Sequence, residues 1–548
     1  MKTLEKLAFS WYNFVMKELQ KNEINNAEMV TISRAEYEAL KAHNTELNKQ
    51  IELLLQQIRL GQKKRFGSSS EKTQEAVMEQ LSLLFNEAEA YIKIESPEKT
   101  KVAAHTRQKR SGSLEEILPD NVPVEVVEHR LSEEERLCAA CDTVMQEIGK
   151  EVRRSLVIVP PQVKIREDRY FSYACLTCKA EALETPVLKT RKDKPVISGS
   201  FASPEAIAHI MTQKFVMCSP LYRQEQELNR SGVMLSRQTM SSWILRVAED
   251  WLKPVYEEMH RRLLQHSVLF ADETTLQVLK EPGKKAQAKS YMWMYRTGGD
   301  TEHPLILYEY KPDRKAENPK KFLEGFSGYL HADGYQAYYT LPENITVVGC
   351  WAHARRKFDE AVNSLPKSEQ KGSSAVIGQE YCNKLFSIED KLKCLTPEER
   401  YTQRLELEKP VLDAFLTWAQ TRNAAPKSAL GKALYYLQQQ WPHLIEYLKD
   451  GRLELSNNRA ERSIKPFVMS RKNFLFANTP NGAQGSAIIY SLIETAKEND
   501  LDPYRYLVYV LNTAPNIDQT HPDWVIPLLP ANAPEHCRVP YAKSKCDE

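Results

Sequence analysis

Three acidic residues stand where the surrounding sequence gives them chemistry. The apolar run Ser267-Val268-Leu269-Phe270-Ala271 ends in Asp272-Glu273-Thr274, and Gly328-Tyr329-Leu330-His331-Ala332 ends in Asp333-Gly334-Tyr335. Both read as buried strands that deliver a carboxylate at their ends. The third acid, Glu461, lies in Leu455-Ser456-Asn457-Asn458-Arg459-Ala460-Glu461-Arg462-Ser463-Ile464-Lys465-Pro466, where Ser456 can cap a helix and Asn457 falls one turn before Glu461 on the same face. Neighbouring carboxylates repel and raise each other's pKa unless a cation lies between them. Hard oxygen donors favour Mg2+ or Mn2+, and two such ions about 3.5–4 Å apart stabilise both the attacking and the leaving oxygen of a phosphoryl transfer. Around the third acid, Arg452, Arg459, Arg462, Lys465, Arg471 and Lys472 outnumber Glu454 and Glu461, which suits a phosphate backbone. An ordinary reading stays open: an Asp at a strand end often closes a turn, and a helical Glu is commonly only solvated.

A second set of residues has metal-ligand spacing. Cys138-Ala-Ala-Cys141 and Cys175-Leu-Thr-Cys178 are C-x-x-C pairs, and two such pairs complete a tetrahedral four-cysteine zinc site with no position left open for catalysis. Val157-Ile158-Val159, Val163-Lys164-Ile165 and Tyr170-Phe171-Ser172-Tyr173 read as strands of a zinc-ribbon-like array around them. Unrelated buried cysteines are the alternative, and a redox pair lacks the strand before and the helix after that it needs. Cys350 and His353 form a C-x-x-H, read as the edge of a core strand entering a helix rather than as a further zinc site, with Arg355 and Arg356 available to DNA phosphates.

The elements that must position these groups follow from periodicity. Strands are expected over Ser267–Ala271, Ser290–Arg296, Leu305–Tyr310, Gly328–Ala332 and Ile345–Cys350, with helices before the fourth strand and after the fifth. Three meandering strands, then helix, strand, helix and strand, is the element order of a ribonuclease H-like fold, in which the ends of the first and fourth strands are neighbours. That order predicts that Asp272 and Asp333 meet. Residues 360–450 form a helical insertion, too long for a loop, between the fifth strand and the Glu461 helix.

Upstream, Ser203-Pro204-Glu205 starts a helix, Pro220 to Arg230 forms another, Ser231-Gly232-Val233 turns, and Ser236 caps a helix carrying Arg237 and Gln238. This is helix-turn-helix syntax, which ordinary helical hairpins share. Tyr37, Leu40, Asn44, Leu47, Ile51, Leu54 and Ile58 alternate spacings of three and four, the seam of a leucine-zipper-like dimer in which Asn44 fixes register. A helix packed on its own chain is the alternative. The expected domains are 1–65 dimerisation, 66–112 helix and basic linker, 113–190 zinc-binding, 191–260 DNA-binding helices, 261–490 catalytic and 491–548 a small C-terminal region. The whole is a multidomain α+β chain.

Composition bounds the rest. The 548 residues carry 75 Lys+Arg against 73 Asp+Glu, which excludes a uniformly polybasic binder or an acidic tail protein. Ten Cys are too few for a disulfide scaffold. No run of about 18 apolar residues and no signal-peptide core is present, so a soluble, cytoplasmic protein with no membrane partner is expected.

Several blocks together resemble the bacterial insertion sequence 66 family of transposases: Asp272-Glu273-Thr274, His331-Ala332-Asp333-Gly334-Tyr335, the segment Cys350 to Phe358, Asn457 to Arg462, and Ser491 to Lys497 with Leu501-Asp502-Pro503. The zipper, the paired cysteines and Tyr222-Arg223-Gln224 extend the likeness over nearly the whole chain. In one respect the sequence departs: Asp142 and Lys179 stand where Gly commonly follows the second Cys of a zinc knuckle. The resemblance implies a DDE-type transposase in which Asp272, Asp333 and Glu461 hold two Mg2+ (or Mn2+) ions, a structural Zn2+ sits on the four cysteines, and the partners are double-stranded element ends and target DNA. It implies a homodimer or higher oligomer, small accessory proteins of the same element, and a nucleoid-associated location in a bacterium. Two other functions fit the same residues: an inactive sequence-specific DNA-binding regulator, and a structure-selective nuclease of the same fold.

Overall fold

A computed structural model describes residues 163–174, 187–189 and 192–540, together with residues 38, 39, 41 and 43. The heptad residues Leu40, Asn44, Leu47, Ile51, Leu54 and Ile58 and the four patterned cysteines lie outside the described residues. The chain falls in two compact units, the larger holding Met1–Lys93, Lys194–Gln226 and Leu235–Glu548, the smaller Ile94–Asp193 and Glu227–Met234.

Among the described residues of the smaller unit, β1 (Ser172–Ala174) pairs antiparallel with β2 (Val187–Lys189) in the register Ser172↔Lys189. The strand expected at Val163–Ile165 does not form. Both Val163 and Ile165 are exposed, so their alternation has neither a ladder nor a core to join.

The larger unit is built on five strands: β3 (Val268–Gln277), β4 (Lys289–Thr297), β5 (Ile306–Lys311), β6 (Gly328–His331) and β7 (Ile345–Val348). They lie in the order β5-β4-β3-β6-β7; β4 runs antiparallel to both β3 and β5, and β6 and β7 run parallel to β3. Val268, Leu269, Phe270 and Ala271 are all buried, as a central strand covered on both faces requires. Gly328 opens β6 at φ +148°, where a Cβ would lie 2.3 Å from the Ser267 carbonyl oxygen. Only glycine lets this strand approach β3 there. The first strand is longer than its apolar run: β3 continues through Asp272 to Gln277 because β4 pairs with it along that whole length.

Among the described residues, four helices precede the sheet: α1 (Pro204–Phe215), α2 (Leu221–Arg230), α3 (Arg237–Val247) and α4 (Lys253–Leu263). The Ser203 and Ser236 hydroxyls accept the Ala206 and Thr239 backbone N–H groups at the starts of α1 and α3. A π-helical turn over Ala248–Leu252 joins α3 to α4. The short α5 (Glu317–Phe322) leads into β6.

After β7 come α6 (Trp351–Asn363), α7 (Ser374–Leu392), α8 (Pro397–Leu407), α9 (Lys409–Gln420) and α10 (Ala429–Leu444). These helices share an aromatic core in which Tyr381 stacks on Phe415 at 4.7 Å and Trp351, Phe358 and Trp418 surround them. Trp351 is fully buried and donates Nε1 to the Leu444 carbonyl at 2.8 Å. Burying each large apolar side chain in this way contributes about 1.5–3 kcal/mol. The chain then returns to the sheet through α11 (Asn458–Phe474) and α12 (Pro480–Glu498), and ends the described region with α13 (Pro503–Thr513) and short 3-10 turns. No helix among the described residues is long and apolar enough to cross a membrane.

Candidate active site

The parallel ladder between β3 and β6 ends at Phe270↔His331. Asp272 and Asp333 each follow that last pair by two residues, so strand register sets them side by side on the same face. α11 brings the third acid. The Asn457 amide nitrogen Nδ2 donates to the Ala271 carbonyl at 2.8 Å, and its backbone N–H meets Cys350 Sγ at 3.1 Å, which pins the start of α11 to the end of the buried half of β3. Glu461 sits in the first turn of that helix, 5% exposed. Asn457, rather than Ser456, occupies the cap position, and its side chain bonds across to the sheet instead of to its own helix. The Ser456 hydroxyl accepts the Asn458 N–H at 3.4 Å.

The electrostatics follow from crowding acids in a closed space. Burial pushes the Asp272 carboxyl well above its ordinary range, and Glu273, Asp333 and Glu461 add repulsion, opposed by the Glu273 backbone N–H that it accepts at 2.8 Å. Burial also raises Glu461, while Arg356 and Lys465 pull it down. Arg356 Nη2 lies 3.6 Å from Glu461 Oε2, and His353 Nδ1 lies 3.7 Å from Oε1. Burial lowers His353 to about 4, with Arg356 acting in the same direction, so the ring is neutral near pH 7. Burial raises the Cys350 thiol to about 12. The ligand atoms of Cys350, His353 and Glu461 all lie within 4.8 Å of one another. The C-x-x-H pair does mark a strand-to-helix junction, but it also flanks the third acid, which no local pattern shows.

A fourth carboxylate, which the sequence does not single out, joins this group. Glu273 has a side chain only 1% exposed, paired with the Arg314 guanidinium, whose Nε donates to it at 2.7 Å; the Tyr338 hydroxyl donates to its other oxygen at 2.5 Å. Burial pushes its carboxyl up to about 7 and Asp333 adds to the rise, while Arg314 and Tyr338 oppose it. Arg314 also lies over the Tyr335 ring at 3.6 Å. The adjacency of Glu273 to Asp272 is the available signal; nothing local marks Arg314.

The basic residues separate into different roles. Arg355, expected to meet phosphate, is instead buried at 4% exposure with Nε donating to Asn383 at 2.6 Å, because its position on α6 faces the helical core. Arg356, one position on, faces Glu461. Arg459 is held by Glu454 at 2.6 Å. Arg462 is exposed and Lys465 half-buried on α11, and Arg471 donates to the Thr274 and Thr275 hydroxyls. Away from this site, Arg237 and Gln238 are exposed on the first turn of α3, with Arg237 over the Tyr222 ring and 4.0 Å from Glu225.

The residues fit a hard divalent cation. Glu461 Oε1 and Asn457 Oδ1 are buried without a hydrogen-bond partner, and a cation is the group that would satisfy such acceptors and relieve the mutual repulsion of the carboxylates.

Comparisons with known proteins agree along the chain. The Transposase IS66 family model matches residues 199–485, the IS66 C-terminal element 491–530, the zinc-finger binding domain of transposase IS66 135–179, and the Transposase C of IS166 homeodomain 53–127. Two similar proteins come from Sinorhizobium fredii. Uncharacterized protein y4jD is 30% identical over 76% of this chain and 81% of its own length, and uncharacterized protein y4qI is 29% identical over 90% and 91%.

Proposed function

The chain belongs to the IS66 family of transposases, and from that membership we propose that it cleaves DNA at the ends of an insertion element and joins the exposed 3′-OH to target DNA. The observation that carries the reading is the convergence of Asp272, Asp333 and Glu461 through the β3–β6 register and the Asn457 tie. The strand order, three antiparallel strands followed by two parallel ones on the far side of β3, supports a ribonuclease H-like catalytic domain.

In this mechanism Asp272, Asp333 and Glu461 would hold two Mg2+ or Mn2+ ions. When bound, such ions polarise the nucleophile and stabilise the charge on the leaving oxygen. The protein's own residues supply placement. Asn457 holds Glu461 against the sheet, Arg314 and Tyr338 fix the position of Glu273, and Arg356 favours the ionised form of Glu461 that a cation needs. Arg462 and Lys465 lie along α11 where a strand phosphate would pass. In the same reading, Arg237 and Gln238 on α3 and the Zn2+ held by Cys138, Cys141, Cys175 and Cys178 serve recognition of the element ends. Residues 40–58 pair protomers so that two ends are held together, with accessory proteins of the element as further partners near the nucleoid.

The test is a Mg2+-dependent strand-transfer assay on duplexes bearing the inverted repeats that flank the coding sequence. Asp272→Asn, Asp333→Asn and Glu461→Gln should each lower transfer by about 1,000-fold, the loss of several kcal/mol of charge stabilisation, while end binding persists. Full activity in any of the three removes the assignment. Cleavage without joining would indicate a nuclease, and end binding with no carboxylate-dependent chemistry a regulator.

A further inference from the structure

Beside the carboxylates lies a cleft of about 530 Å3, within the range of small-ligand pockets. One wall is a single stripe of α10: Lys432, Tyr435, Tyr436, Gln439, Gln440 and His443 recur at helical spacing, while Leu430, Ala433, Leu434, Leu437 and Leu444 on the opposite side are buried. The other wall comes from the segment after β6. Tyr339 stacks face to face on His443 at 4.1 Å and hydrogen-bonds Gln440. A Cβ on Gly334 would lie 2.9 Å from the Tyr436 ring, so the cleft begins one residue beyond Asp333. Tyr435 is 66% exposed within this lining. Among the described residues no carboxylate lines the cleft, whereas Lys357 and Lys432 do.

These properties define one ligand class. Flat aromatic surfaces accept a planar ring, the side-chain amides of Gln336 and Gln439 are exposed to hydrogen-bond its edge, and the lysines suit the phosphates on either side. A paired base inside a duplex offers no face to stack on. We propose that this cleft takes an unpaired nucleobase of the DNA strand whose neighbouring phosphate lies at Asp333. The proposal deepens the transposase reading and rests on it: the cleft would hold the terminal strand out of the duplex at the point of cleavage. Unpairing costs free energy, and stacking in the cleft offsets it.

The experiment uses the full chain in EDTA, so that no cleavage occurs, with two fluorescent single strands of about 12 nucleotides, one of thymidines and one fully abasic with the same phosphates. The wild type should bind the base-bearing strand about tenfold more tightly, the worth of one stacked base. Tyr435→Ala, at an exposed position, should remove that preference and leave abasic binding unchanged. Lys432→Ala should weaken both strands alike. Equal binding of the two strands by the wild type, or a preference that survives Tyr435→Ala, overturns the proposal. Mg2+-dependent strand transfer on the same preparations separates the two readings. An active protein without base preference loses the cleft alone, and a Tyr435-dependent base preference in an inactive protein keeps the base-binding cleft and removes the transposase reading.

Discussion

At the scale of single residues, side-chain type predicts chemistry better than it predicts partners. Asp272, Asp333 and Glu461 stand out because each is an acid at a strand end or on a polar helix turn. Glu273 stands beside the first of them, yet its burial and its pairing with Arg314 depend on a residue 41 positions away. The same blindness applies to Arg355 and Arg356, adjacent and identical in type. One turns into the helical core and the other toward Glu461, a difference set by the helix face that α7 covers. The Glu273 pair has a measurable consequence. Arg314→Met should cost about 2 kcal/mol at pH 8 by leaving a buried carboxylate without its cation, less than a fully buried pair because the Arg314 side chain is 37% exposed. Adding Glu273→Gln should restore most of the loss, read from denaturant midpoints. A double variant as unstable as the sum of the two single changes would show that the pair is not the source.

At the scale of elements, periodicity located the strands and helices, while their ends and their exposed edges were settled by neighbours. β3 runs past Asp272 because β4 continues beside it. β5 is an edge strand, and its outward N–H groups would be buried and unsatisfied under α12. Ser491 and Thr495, one turn apart on α12, resolve this: Ser491 Oγ accepts the Tyr308 N–H at 2.8 Å, and Thr495 Oγ1 accepts the Ile306 N–H at 2.9 Å. The block Ser491 to Lys497 thus has a structural use. Ser491→Ala with Thr495→Val should destabilise the protein by about 2–4 kcal/mol, because two buried donors lose their acceptors. Ser486→Ala, whose hydroxyl bonds only within its own helix, should change the midpoint by less than about 0.5 kcal/mol. Equal effects would remove the edge-capping role.

At the scale of the whole molecule, the near-zero balance of 75 basic and 73 acidic residues conceals an uneven placement. The basic side chains of α11 lie beside a knot of acids, an arrangement that suits phosphate and cation together. The zinc-finger family match over residues 135–179 carries a prediction for the intact chain: one zinc per chain by metal analysis, lost in Cys138→Ser/Cys175→Ser. Unchanged stoichiometry would remove the four-cysteine site. By itself the sequence determined the class of elements, the identity of the acids, the paired cysteines and the family likeness, because residue type, short spacing and periodicity are local properties carried along the chain. Only the tertiary structure decided that Glu273 shares the space of the other acids, which arginine meets Glu461, and that a tyrosine-lined cleft opens beside Asp333. Those outcomes depend on ladder register and on contacts such as Asn457 with Ala271, 186 positions apart, where many packings satisfy the same local pattern and burial selects one.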